Sequence, residues 1–153
     1  MMTQMPVFMH FLYAFLATVG FSIFLCAPKK ALLFCGFSGG FGWSIYYFLT
    51  TLSFSDVSAN FTATIFVALT SEILARKLKQ PAIIFIIPGI IPLVPGLGMY
   101  NTMLYLVQSY FDEAMTKGVD VLFIGGAIAL GLLIVTSLSN SLNLLRHKKI
   151  HKE

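Results

Sequence analysis

The sequence has little charge. Only 10% of its 153 residues are Asp, Glu, Lys or Arg, against about 25% in ordinary soluble domains, while 58% are apolar. A globular protein of this size leaves roughly a third of its potential surface in water. So few polar groups cannot cover that surface, which excludes a soluble fold and makes a bilayer the solvent for most of the chain. Cysteine and histidine are also sparse. Cys26 and Cys35 lie in or at the edges of apolar segments with no CxxC and no neighbouring histidine, and read as small buried hydrophobes. Three scattered histidines, His10, His147 and His151, give no metal-ligand spacing, so neither a metal nor another cofactor is expected. The phosphate-binding pattern GxxxxGK followed by Ser or Thr is missing, which excludes a nucleotide-driven motor. HExxH, a nucleophile–base pair and paired carboxylates at membrane depth are missing too, and the chain is not expected to be an enzyme. The first 28 residues carry no charge, so they lack the basic n-region of a cleavable signal peptide and are expected to stay as a helix.

What the chain does have is long hydrophobic runs. A transmembrane helix needs about 20 mainly apolar residues, and four blocks reach that length: 6–27, 31–53, 57–75 and 119–143. A further block, 81–111, is too long for one straight crossing and too short for two. Basic residues decide how it is counted, because Lys and Arg in short loops mark the cytoplasmic side. With five crossings and the N-terminus outside, nine of the ten Lys and Arg residues fall inside and only Lys117 outside. Splitting 81–111 into two crossings would send the basic tail, 144–153, outside. The expectation is an all-α, polytopic membrane protein in one domain, 1–153, with five helices in an N-out, C-in arrangement in the cell membrane. The net charge of +4 is explained by these loop clusters rather than by nucleic acid, and the tail is suited to anionic lipid heads. Ser55 and Asp56 offer N-cap oxygens to the third helix, Pro81 suits a first turn, and Gly118 is expected to end the outer loop before the fifth helix.

The fourth block carries Pro88, Pro92 and Pro95 with Gly89, Gly96 and Gly98. Each interior proline removes an amide donor, leaving the carbonyls of Ile84, Pro88 and Ile91 without their helical partners at about 3 kcal/mol each. Non-helical backbone at membrane depth persists only inside protein or beside a polar cavity. The helix is therefore expected to break near 88–98 and face an interior path, with the partly positive N-terminus of its second half available to an anionic group. Pro92, Pro95 and Gly96 shape that site, and Tyr100, Asn101 and Thr102, on the first turn beyond it, are expected to orient an amino or carboxylate ligand. A kink that only shapes packing is the alternative.

In the second block, Gly36 and Gly40 form GxxxG, and with Gly39 they are expected to let another helix approach closely. Glu72 is a proton-coupling candidate, although Arg76 lies four residues on and can neutralise it. Asp56 lies close to a helix end, and His10 reads as an interfacial residue. Asn60-Phe-Thr62 matches a glycosylation sequon but falls within the third helix, and is discounted.

The stretch Pro-Ala-Ile-Ile-Phe-Ile-Ile-Pro-Gly-Ile-Ile-Pro-Leu-Val-Pro-Gly (81–96), Tyr100 and the glycine-rich run Gly36–Trp43 resemble the threonine/serine exporter family, specifically its short membrane subunit of the two-component type. The resemblance implies a secondary-active exporter of small polar metabolites, most simply threonine and serine. In some two-part systems the exported compounds are dicarboxylates such as succinate. It also implies a larger membrane subunit as partner, with its own soluble region and helices, and an odd number of crossings would permit an inverted two-half transporter. The alternatives from other classes are a structural or assembly subunit without substrate contact, and a homo-oligomeric channel.

Overall fold

Helices account for nearly all of the described chain because lipid offers no partner for a free amide or carbonyl. The computed structural model describes the backbone of residues 6–150 and the side chains of residues 6–141. The side chains of the basic tail, Arg146 to Lys152, therefore lie outside the described residues. The elements are α1 (Val7–Phe24), α2 (Lys29–Thr51), α3 (Asp56–Leu78), α4 (Ile83–Ile90), a 3-10 turn (Ile91–Leu93), α5 (Gly96–Val107) and α6 (Phe111–Ile150). Four helices, α1, α2, α3 and α6, are long and apolar enough to cross a membrane. A fifth span arises when α4, the 3-10 turn and α5 are counted together across a bend of 52°. The chain is a multi-pass membrane protein.

Tight turns separate the helices, and four of them use one device. Cys26, Ser53, Lys79 and Ser109 take positive φ (52–66°) just beyond the ends of α1, α2, α3 and α5. In each case the next amide reaches back five residues: Ala27 to Ser22, Phe54 to Leu49, Gln80 to Ala75 and Tyr110 to Tyr105. This is the Schellman stop, here built without glycine. It places Cys26 in an exposed turn, which corrects the expectation of a buried hydrophobe for that residue, while Cys35 is buried. At the start of α3, the Ser55 hydroxyl caps the Ser58 amide at 3.4 Å.

Helices α2 and α3 form the middle of the bundle, with α1 against α2, α6 against α3, and α4 in the groove between α2 and α3. Small residues allow this. Gly36, Gly39 and Gly40 lie directly against Phe15, Thr18 and Phe11 of α1, and a side chain at any of the three would collide with them. The opposite stripe of α2 buries Ala31, Cys35, Ser38 and Gly42. Two apolar clusters fill the interior, one of Ala31, Cys35, Ala75 and Phe85, the other of Ala63, Val67, Leu93 and Ile128.

The helix containing 119–143 begins eight residues earlier than the hydropathy pattern suggests, at Phe111. Asp112 and Glu113 occupy its first turn, where negative charge complements the helix dipole. Gly118 is helical, and a Cβ there would stand 3.3 Å from the Thr102 methyl of α5. Its small size serves the approach of α5 rather than the end of a loop.

Candidate functional site

Pro88 does not break its helix. Hydrogen bonding continues through α4 to Ile90, and the carbonyl of Ile84, deprived of its donor by Pro88, lies 3.4 Å from the Cys35 thiol of α2. The Pro88 carbonyl accepts from the Ile91 amide, and the Ile91 carbonyl from the Val94 amide at 3.2 Å. All three orphaned carbonyls thus have partners within the protein.

The chain leaves helical geometry at Val94 and Pro95. Val94 is extended (φ −63°, ψ 129°), and Pro95 (φ −76°, ψ 58°) is the centre of an inverse γ-turn closed by the Gly96 amide on the Val94 carbonyl at 2.7 Å. The Met99 amide bonds the Pro95 carbonyl at 3.0 Å. Between these two, the amides of Leu97 and Gly98 have no acceptor among the described residues, and no side chain caps α5. The positive end of α5 is open.

It opens into a cavity of about 450 Å³, within the range that holds small metabolites. The break supplies one wall, from Pro92 to Gly98 with Asn101. The rest of the lining is Trp43 and Tyr46 from α2, Asp56 and Asn60 from α3, and Lys117, Asp120, Val121 and Ile124 from α6. Lys117 Nζ and Asp120 Oδ2 are 3.9 Å apart and about half exposed. The Tyr46 hydroxyl donates to Asp56 Oδ1 at 3.1 Å. Asn60 is 3% exposed. Its Nδ2 donates to the Asp56 carbonyl at 2.8 Å, and its Oδ1 has no partner among the described residues. The lining offers donors on the α5 side and acceptors on the α3 side.

Of the residues expected at the site, Pro92, Pro95, Gly96 and Asn101 line this cavity, whereas Tyr100 and Thr102 do not. Successive helical residues point about 100° apart, so Leu97, Gly98 and Asn101 share the cavity face while their neighbours turn away. Tyr100 is 62% exposed. Thr102 lies in the seam with α6 and donates to the Gly98 carbonyl at 2.9 Å. The contributions of Trp43, Tyr46, Asp56, Asn60, Lys117 and Asp120 were not legible in the sequence, because they come from three other helices. Asn60, one turn inside α3, stands among several other polar residues of that helix and gave no distinct local signal.

Glu72 lies at the other end of α3. Ser139 of α6 donates to Glu72 Oε2 at 2.5 Å and accepts from Arg76 Nη2 at 2.9 Å, with Arg76 and Glu72 4.0 Å apart. Twelve residues of helix, about 18 Å, separate Glu72 from Asn60. At the cavity end of α2, His10 stacks on Tyr47 with centroids 3.8 Å apart and accepts from Trp43 Nε1 at 3.4 Å.

The family model described as "Threonine/Serine exporter, ThrE" matches residues 10–138. A probable threonine/serine exporter of Mycobacterium tuberculosis is 24% identical over 139 residues, covering 88% of this chain and 26% of its own length. The threonine/serine exporter of Corynebacterium glutamicum is 27% identical over 114 residues, 74% of this chain and 23% of its own length. An uncharacterized protein of Haemophilus influenzae is 28% identical over 129 residues, 79% of this chain and 43% of its own length. The chain thus spans less than half the length of these relatives. No solved structure matches it significantly.

Proposed function

The chain belongs to the threonine/serine exporter family, and on that premise we propose that it is the small membrane subunit of a secondary-active exporter whose substrate is a small amino acid, threonine or serine. The observation that carries this reading is the cavity at the broken segment, where the uncapped N-terminus of α5 meets charged and amide side chains from α3 and α6. A helix N-terminus attracts an anion through its free amides and its dipole, so the substrate carboxylate is placed at Leu97 and Gly98. Asn101 borders that position from the next turn of α5.

Two further parts of the proposal rest on the comparisons and the charge pattern. The two threonine/serine exporters are more than twice as long as this chain, which supports a larger membrane subunit as the partner completing the transport unit. The loop charges support an outward N-terminus and a cytoplasmic C-terminus, with the cavity then at the outer end of the bundle. A proton gradient is the proposed energy source, with Glu72 as the candidate titrating group.

The test is efflux of labelled threonine, serine and succinate from native cells lacking this subunit and complemented with wild type or Gly96→Leu. A Cβ at Gly96 meets nothing within 4 Å, so the leucine should intrude on the cavity without disturbing the bundle. Wild type should restore threonine and serine efflux, and Gly96→Leu should abolish it while the protein still reaches the membrane. Undiminished efflux with Gly96→Leu would remove the cavity from the pathway.

A further inference from the structure

Asn60 is held by one half of its amide and left free by the other. Its Nδ2 is committed to the Asp56 carbonyl, a group that can only accept, so Oδ1 is the atom without a partner. The side chain is 3% exposed and borders the cavity. A buried acceptor left unmade costs about 1–3 kcal/mol, and native proteins seldom leave one without a use. Thr64 and Ser71 are also buried on α3 without partners, but neither borders this cavity.

The missing partner must be a donor, and its charge can be read from the surroundings. Among the described residues, Asp56 and Asp120 share the lining with a single cation, Lys117, which is itself paired to Asp120. A positive donor is therefore favoured beside Asn60, while the open amides of α5 favour a negative group at their own part of the lining. Resting on the exporter reading, we propose that Asn60 Oδ1, backed by Asp56, receives the ammonium group of an α-amino acid whose carboxylate lies on the α5 amides. Asn60 is then the residue that selects amino acids over dicarboxylates. A dicarboxylate would set its second carboxylate against an amide oxygen and the Asp56 charge, leaving that carboxylate and Asn60 Oδ1 without a donor between them.

Ligand protection of a cavity cysteine tests this in membranes of the native cell, with the full chain expressed at its natural level beside its own partners. Leu97→Cys, which lines the cavity and is exposed, is placed in a Cys26→Ser background because Cys26 is itself exposed. Labelling by a membrane-impermeant thiol reagent is followed against L-threonine, L-serine, 3-hydroxybutyrate (threonine without its amino group) and succinate. Threonine and serine should protect, and the two compounds without ammonium should need at least about tenfold higher concentration, the value of one charge-assisted hydrogen bond. Asn60→Leu should weaken protection by threonine about tenfold or more, and Asn60→Asp, which keeps an acceptor, should restore it. Unliganded labelling rates equal to wild type show that each variant is folded. Equal protection by succinate and threonine, or threonine protection unchanged in Asn60→Leu, would overturn the role of Asn60 while leaving the exporter reading intact. Protection by none of the four compounds would overturn the substrate cavity itself, and this inference with it.

Discussion

The thiol of Cys35 on α2 lies 3.4 Å from the carbonyl oxygen of Ile84 on α4, the carbonyl that Pro88 leaves without its helical donor. The contact shows why a proline at Pro88 is tolerated in a helix that runs unbroken to Ile90. It also fixes the depth at which α4 seats in its groove, since Cys35 packs with Ala31, Ala75 and Phe85.

Cys35→Ala should therefore destabilise the protein by about 1–3 kcal/mol, because it leaves a buried carbonyl unpartnered and removes the packed sulfur. Cys35→Ser, which supplies a better donor at similar volume, should retain most of the stability. Thermal unfolding of the two variants in detergent separates the loss of the donor from the loss of bulk. Equal melting temperatures for Ala and Ser would show that the thiol–carbonyl contact contributes nothing.

The contact of α1 with α2 predicts a sharper position dependence. Gly39→Leu would drive its side chain into the buried Thr18 and should cost at least about 2 kcal/mol through overpacking. Gly125→Ala, at a position where a Cβ meets nothing within 4 Å, should be neutral or slightly stabilising, since alanine is the better helix former. Expression level and melting temperature of the pair check both directions together.

Ser109 closes α5 at φ 61°, a conformation that costs a residue with a Cβ about 1 kcal/mol and glycine very little. Ser109→Gly should raise stability by about 0.5–1 kcal/mol. The gain should be absent for Ser137→Gly in the middle of α6, where glycine weakens the helix instead.

Glu72, held by Ser139 and close to Arg76, predicts a separation of coupling from translocation. Glu72→Gln keeps an acceptor for the Ser139 hydroxyl but cannot titrate. If Glu72 carries the coupling proton, the variant should lose accumulation driven by an imposed pH gradient and keep exchange of labelled for unlabelled threonine. Gradient-driven transport that survives in Glu72→Gln would assign coupling to another group, in this chain or its partner.

Much of the fold was legible because a bilayer imposes simple demands. The spans follow from the length of apolar runs, and their ends from the charges and prolines between them. The position of the break was less well defined. Three prolines marked 88–98, but a thiol from another helix decided that Pro88 stays helical, and the departure falls at Val94 and Pro95. The start of α6 at Phe111 was hidden for a related reason, since Gly118 looks like a stop in sequence and acts as a contact surface for α5.

By itself, the sequence determined the solvent, the secondary structure and the presence of a broken segment, because hydropathy and missing amide donors are properties of neighbouring residues. Only the tertiary structure decided which side chains face the opening. On α5 the 100° step between residues admits Asn101 and turns Tyr100 and Thr102 away. The packing of α2, α3 and α6 brings Tyr46, Asp56, Asn60 and Lys117 to the same cavity from positions far apart in the chain. The cavity, with Asn60 in its lining, exists only once those helices have met.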